Sequence, residues 1–464
     1  MNKHNLYTFF VGLFIPVLAS TAVAQAPTYI NDAKSICGVI EDTYSGFSVK
    51  QTQFGLSQDR FRTICRDFVD RETLFPSTSR SDFFRRVKNI TSQFHDGHLT
   101  VRDKKSMKIW HTGLGFSLID SRVIVIQNDD GPTKVETGDE LVLIGGKNPA
   151  GFQPFPALDL NRPEYTKVAK IGSLAVFLSP DEPEQKSVDA HFRSWRTGRG
   201  YTEVLRFRQG RPPFLPKTLT NLSFLENKTA AVWQINSFTN NAKASIFQDL
   251  SKLRDHKEIK KLIIDLRKNG GGTTEVGNSL FSLFNHVKAL QIDMNIQFLC
   301  SDLIKTRLSQ VPYLTAVFSD GCPKGPEPKM SSTVAVDWKA DYDREFNNFR
   351  DIDFSDVQIA IIISPFSYST AEDFAMLMKL QKRAVLIGEP TGGGGTIPFV
   401  SLPLPESELM LSVPSLNWLY RENGSLVNLE GTGVSPNISC RPLHADIVEG
   451  RDRCLNIAIE MLIR

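Results

Sequence analysis

Ser369 lies where a serine hydroxyl could act as a nucleophile. It falls in the run Ile359-Ala-Ile-Ile-Ile-Ser-Pro-Phe-Ser-Tyr-Ser-Thr-Ala-Glu-Asp-Phe-Ala-Met-Leu-Met378. Val357 to Ile363 is apolar and rich in β-branched residues, which predicts a buried strand. From Thr370 the apolar residues Ala371, Phe374, Ala375, Leu377 and Met378 fall at helical spacing. Ser369 therefore sits on a strand-turn-helix junction, beside the unpaired N–H groups and positive dipole end of a helix, which favour a developing oxyanion. Taken locally, Ser367 or Ser369 could equally be an N-cap and nothing more. A base is available in Phe94-His-Asp-Gly-His-Leu-Thr-Val101, where His98 falls at a predicted helix-to-strand junction. Imidazole titrates near neutrality and is suited to proton transfer. His95 and His98 also read as an H-x-x-H metal pair, but no third ligand accompanies them. A structural histidine is the plain alternative. The run Arg267-Lys-Asn-Gly-Gly-Gly-Thr273 follows a predicted strand, and its glycines let backbone amides approach a ligand closely. It lacks the G-K-[ST] ending of a phosphate loop.

The elements that must hold these groups follow in chain order. Asp59–Glu72 and Arg80–Phe94 have helical periodicity. Arg122–Gln127 and Tyr201–Arg208 predict strands. From about residue 218 strands and helices alternate: strand Ala230–Phe238, helix Ala242–Leu253, strand Lys260–Leu266, helix Val276–Phe284. Residues 300–355 are irregular and read as an insertion or lid. Arg383–Gly395 is a strand ending in a run of glycines, Leu409–Val413 a further strand, and Asp452–Leu462 a closing helix.

The chain has 464 residues, room for two or three domains, with 41% hydrophobic and 23% charged residues. A net charge of +3 gives no ground for nucleic acid or an anionic membrane as partner. Residues 1–24 have the pattern of a cleaved secretory signal: Lys3 and His4, an apolar stretch from Leu6 to Leu18, then Ala22-Val-Ala24. An uncleaved N-terminal anchor is the alternative. No later stretch supplies a membrane span, so a secreted or periplasmic protein without a stable anchor is expected. Six cysteines remain, Cys37, Cys65, Cys300, Cys322, Cys440 and Cys454. An even count in an exported chain suits disulfides, and pairing sequence neighbours is the simplest arrangement.

Two resemblances organise these pieces. Gly113-Leu-Gly-Phe116, together with Gly138-Asp-Glu-Leu-Val-Leu-Ile-Gly-Gly-Lys147, resembles a PDZ domain over about 107–212. The resemblance implies a carboxylate-binding loop at Gly113, Leu114, Gly115 and Phe116, with a long insertion near 151–198. Val232–Phe238, Leu262–Gly272, Ser369–Glu372, Arg383–Thr391 and Glu430–Ile438, in that order, resemble the S41 peptidases, the tail-specific processing proteases. That family's nucleophile stands three residues before a glutamate, which selects Ser369 over Ser367. One branch activates serine with a lysine in the loop after G-E-P-T, but here Gly394 stands at that place. The other, tricorn-type branch uses a histidine from an N-terminal D-x-H-like motif and a glutamate before G-V-x-P. The resemblance thus implies a triad of Ser369, His98 and Glu430, with oxyanion donors from the backbone of Thr370 and Gly271, and Gly272 as the neighbouring alternative. Asp96 is the weaker candidate for orienting the base.

The implied fold is α/β, a crotonase-like S41 core over 218–464, with an N-terminal helical region over 25–106 and an inserted PDZ-like domain. The expected activity is that of an exported serine endopeptidase acting on proteins or peptides, without metal or cofactor. Two alternatives remain: an S41-like module that binds apolar ligands without turnover, and a PDZ-type peptide-binding protein with an inactive core.

Overall fold

The computed structural model of the chain describes residues 28–103, 108–129, 131–149, 176–179, 186–212, 216–225, 229–285, 294–310, 322, 330–332, 334–335 and 344–463. The expected signal-peptide segment, most of the expected insertion near 151–198 and much of the expected lid lie outside the described residues.

The alternating segments build one sheet. Strands Ala230–Ile235, Lys261–Asp265, Gln358–Ile363, Ala384–Gly388 and Ile438–Ser439 run parallel, and Thr220–Phe224 closes one edge antiparallel to Ala230–Ile235. The central strands Lys261–Asp265 and Gln358–Ile363 are Leu/Ile-rich because both faces are covered. One face packs on helices Lys243–Asp255, Thr274–Phe284 and Thr370–Leu380 through Trp233, Ile264, Ile361, Phe374 and their neighbours. Helix Arg453–Ile463 covers the other, placing Ala458 and Leu462 against Ile263 and Ile362. Parallel strands deliver their C-terminal loops to one edge. Three such loops meet there: 266–273, 364–369 and 389–395.

A second sheet is organised by the strand Leu409–Glu422, far longer than the expected Leu409–Val413. It pairs with Thr396–Leu404, Ser425–Asn428, Met294–Phe298 and, from the N-terminal region, Thr100–Asp103. Pro398 and Pro414 face each other at a register shift, the place where missing N–H donors are tolerated. Helices Ile30–Thr43, Phe47–Phe54, Gln58–Leu74 and Arg80–Thr91 share one core with this sheet, through residues such as Ile36, Phe61, Phe83, Phe94, Phe298, Val400 and Leu411. Ser57 and Ser79 cap the third and fourth of these helices.

Residues 114–206 contribute a separate antiparallel sheet in the order Leu114–Ile119, Arg122–Asn128, Glu140–Ile144, Ser187–Arg193, Gly200–Arg206. Gly113, Leu114, Gly115 and Phe116 are all buried, and Leu114–Ile119 is its edge strand. The cysteines pair as sequence neighbours: Cys37–Cys65, Cys300–Cys322 and Cys440–Cys454.

Candidate active site

Ser369 occupies a conformation that only strong local bonding holds. Its φ of 57° and ψ of −128° lie in a region that residues with a Cβ rarely adopt. The bonding comes from Glu372, a fully buried side chain three residues on. Its carboxylate accepts from the Ser369 N–H at 2.9 Å, the Thr391 hydroxyl at 2.6 Å, the Gly393 N–H at 2.6 Å and the Gly394 N–H at 2.7 Å. Burial pushes the Glu372 carboxyl up, while these donors pull it back. Because every partner donates, the bonding pattern is that of the anion. Glu372 thereby ties the serine turn to the glycine loop.

Ser367 is a framework residue. Its hydroxyl is fully buried, donates to the Leu266 carbonyl at 2.8 Å and accepts from the Ser364 N–H at 3.1 Å. Ser369 is partly exposed.

The loop Gly392–Gly395 is glycine because three elements crowd it. A Cβ on Gly394 would lie 2.6 Å from Tyr368 Cζ and 3.0 Å from His98 Cε1. One on Gly395 would lie 2.2 Å from the Glu430 nitrogen, and one on Gly393 3.0 Å from the backbone of Gly431. Ser369 (through Glu372), His98 and Glu430 are thus gathered around this one loop from segments far apart in the chain. A lysine at position 394 would have no room, since the rings of His98 and Tyr368, 4.8 Å apart, fill the space.

His98 is buried, which lowers its pKa, while Asp96 and the Thr396 carbonyl favour the charged form. The balance keeps imidazole neutral, as a base requires. Asp96 Oδ1 accepts from the His98 backbone N–H at 2.8 Å, fixing the turn that presents the ring. His98 Nδ1 has no hydrogen-bond partner among the described residues, and none joins Ser369 Oγ to the ring.

Glu430 departs from the expected arrangement. Its carboxylate bonds to Lys50 Nζ at 2.6 Å and to the Thr396 hydroxyl at 3.1 Å, not to the imidazole. Both side chains of the Lys50–Glu430 pair are 0% exposed. A full ammonium charge in a buried setting outcompetes a neutral ring for the carboxylate. The pattern had no signal for Lys50: nothing separates this lysine of a short helix from a solvated one until the fold buries it.

The Gly271 N–H is also committed, donating to Asn269 Oδ1 at 2.8 Å. No hydrogen bond is made by the N–H of Gly272 or of Thr370 among the described residues. Gly271 itself packs on the Ser369 turn: a Cβ there would lie 2.7 Å from Ser369 Cβ and 3.1 Å from the Thr370 nitrogen. Arg267, at the start of this turn, bridges Asp265 at 2.7 Å and Asp452 at 2.6 Å, pinning the turn to the C-terminal helix region. The ring of His95 lies tilted against that of Phe54, 4.3 Å between centroids, and among the described residues no group of three or more His, Cys, Asp or Glu could hold a metal.

Residues 229–440 match the model of peptidase family S41. The chain carries a serine-type peptidase domain of family S41. This S41 domain takes in Ser369, Gly271, Gly272 and Glu430 but not His98 or Lys50, which the N-terminal region supplies. Among solved structures, mature CPAF is 13% identical over 90% of this chain and 94% of its own, with a TM-score of 0.64. Mature CPAF complexed with lactacystin is 14% identical over 94% of this chain and 97% of its own, with a TM-score of 0.67. At such identities the likeness establishes the fold, and it extends over the helical and inserted regions beyond the S41 domain. No described helix is long and apolar enough to cross a membrane.

Proposed function

We propose that the protein is an exported serine endopeptidase that cleaves protein or peptide substrates through an acyl-enzyme. Ser369 Oγ attacks the carbonyl, and neutral His98 takes its proton and later returns it to the leaving amine. The oxyanion is received by the Thr370 N–H at the helix start together with Gly272, while Gly271 serves only if it releases Asn269. Glu430 completes the triad as the buried acid behind the base, acting through Thr396 and the local field. The observation that carries this reading is the convergence of Ser369, His98 and Glu430 on the loop Gly392–Gly395, with the serine held in a strained turn by Glu372. Residues 107–212 form a PDZ-like domain that presents substrate or gates the site, and residues 1–24 direct export.

The test is fluorophosphonate labelling of the protein beside Ser369→Ala, with unfolded casein as substrate. Labelling and cleavage that both vanish in the variant are the expected result. Labelling that survives in Ser369→Ala would overturn the assignment of the nucleophile. A second reading, a ligand-binding module without turnover, is favoured by the missing bond between Ser369 and His98. It predicts no labelling of the folded wild type.

A further inference from the structure

Behind His98 the protein buries two carboxylates with one ammonium. Asp96 and Glu430 are 3% and 1% exposed, and Lys50 is 0% exposed. Lys50 Nζ donates to Glu430 Oε1 at 2.6 Å and to the His95 carbonyl at 3.0 Å. The Tyr44 hydroxyl donates to Asp96 Oδ2 at 3.0 Å. Between the acids stands Thr396, whose hydroxyl lies 3.1 Å from Asp96 Oδ2 and 3.1 Å from Glu430 Oε2. A hydroxyl has one hydrogen. Were both acids ionised, one of these contacts would set an oxygen lone pair against an anion in full burial. If one acid carries a proton, it donates to Thr396 Oγ1, Thr396 donates to the other, and both contacts are hydrogen bonds.

We propose that Asp96 and Glu430 share one proton through Thr396, with Lys50 as the balancing charge, and that losing this proton makes His98 the stronger base. The proposal rests on the peptidase reading for its consequence but not for its proton. With the proton bound, the two carboxyls and Lys50 sum to zero. When it passes to bulk water, the cluster carries one negative charge, and no bond other than O–H changes. That charge favours the imidazolium which forms as Ser369 is deprotonated. The titratable groups facing the cluster are Lys50 from helix Phe47–Phe54, Tyr44 from the end of the preceding helix, His95, Asp96 and His98 from one turn, and Tyr368 from the nucleophile turn. Burial, then Asp96, pushes the Glu430 carboxyl up to about 7, with Lys50 and Thr396 opposing. His98 alone would titrate below its ordinary value. Asp96, Thr396 and Lys50 are positioning residues in this scheme.

The experiment follows the rate of fluorophosphonate labelling against pH, in the wild type, Glu430→Gln, Asp96→Asn and Thr396→Ser. In the wild type the rate should rise about tenfold between about pH 6 and about pH 8, as ionisation near neutrality requires. In Glu430→Gln and Asp96→Asn the ratio should fall to about twofold, because only His98 then titrates. Thr396→Ser keeps the bridging hydroxyl and should keep the wild-type ratio. Difference infrared spectra at about pH 6 should show a protonated carboxyl stretch in wild type and in Ser369→Ala that is lost from both acid variants. A wild-type profile with the His98 limb alone, and no such band, would overturn the proposal. Spectra of Ser369→Ala need no activity, so they decide the shared proton even if the peptidase reading fails, and wild-type spectra decide it if an acid variant does not fold.

Discussion

Two buried glutamates flank the same glycine loop and are held in opposite ways. Glu372 is met only by neutral donors, three backbone N–H groups and one hydroxyl. Glu430 is met by a full ammonium charge and, across Thr396, by a second acid. The first arrangement fixes geometry, since amides at set positions admit one placement of the carboxylate. The second sets charge, since its groups exchange a proton without moving. The two carboxylates thus stand in different bonding environments on either side of one loop.

The comparison is broken most severely at Glu372. Glu372→Ala leaves the donors of two loops unsatisfied in full burial, and should cost about 4 kcal/mol in urea unfolding. Fluorophosphonate labelling should fall by about a hundredfold as Ser369 relaxes from its strained conformation.

Glu430 is sharpened by pH. Its carboxyl is raised from 4.5 to about 7, so the folded state binds more protons than the unfolded chain within that window. Stability contributed by this group is therefore present at the acid end and is lost as pH rises towards 7. His98, lowered, contributes with the opposite sign below its ordinary value, and does so in any variant that retains it. Between about pH 5 and about pH 8 the wild type should lose about 2–3 kcal/mol more than the double variant Lys50→Met/Glu430→Gln, read by urea denaturation.

A smaller effect is expected at Gly394. The added methyl of Gly394→Ala meets Tyr368 and His98 and must displace one of them. About 2 kcal/mol of stability and about tenfold in labelling rate should be lost. The smallest effect belongs to Tyr44→Phe, which removes one bond to Asp96 and should cost about 1 kcal/mol, measured as a shift in the urea midpoint.

The parallel sheet was legible because burial on both faces leaves an apolar run between turn residues, as at Gln358–Ile363 and Lys261–Asp265. The Ser369 turn and the glycine turn were legible because chain connectivity alone places both at the same sheet edge. Leu409–Glu422 was read short: Pro414, Ser415 and Asn417 interrupt its apolar pattern, yet all are satisfied inside the sheet, Asn417 by Ser45. The direction of the Glu430 carboxylate was not legible at all. It depends on Lys50, whose burial follows from docking the short helix Phe47–Phe54 onto a C-terminal sheet, and the pattern of that helix is barely amphipathic. The commitment of the Gly271 amide to Asn269 is likewise a matter of one side-chain rotation, which spacing does not encode.

The Lys50–Glu430 bond spans 380 positions of sequence. Contacts of that separation close late, after the cost of ordering the intervening chain has been met. A ribosome-bound chain that has displayed Lys50, His98 and even Ser369 still lacks the segment that neutralises the lysine and seats the glycine loop. The buried cluster behind His98 is therefore completed only in the last tenth of synthesis.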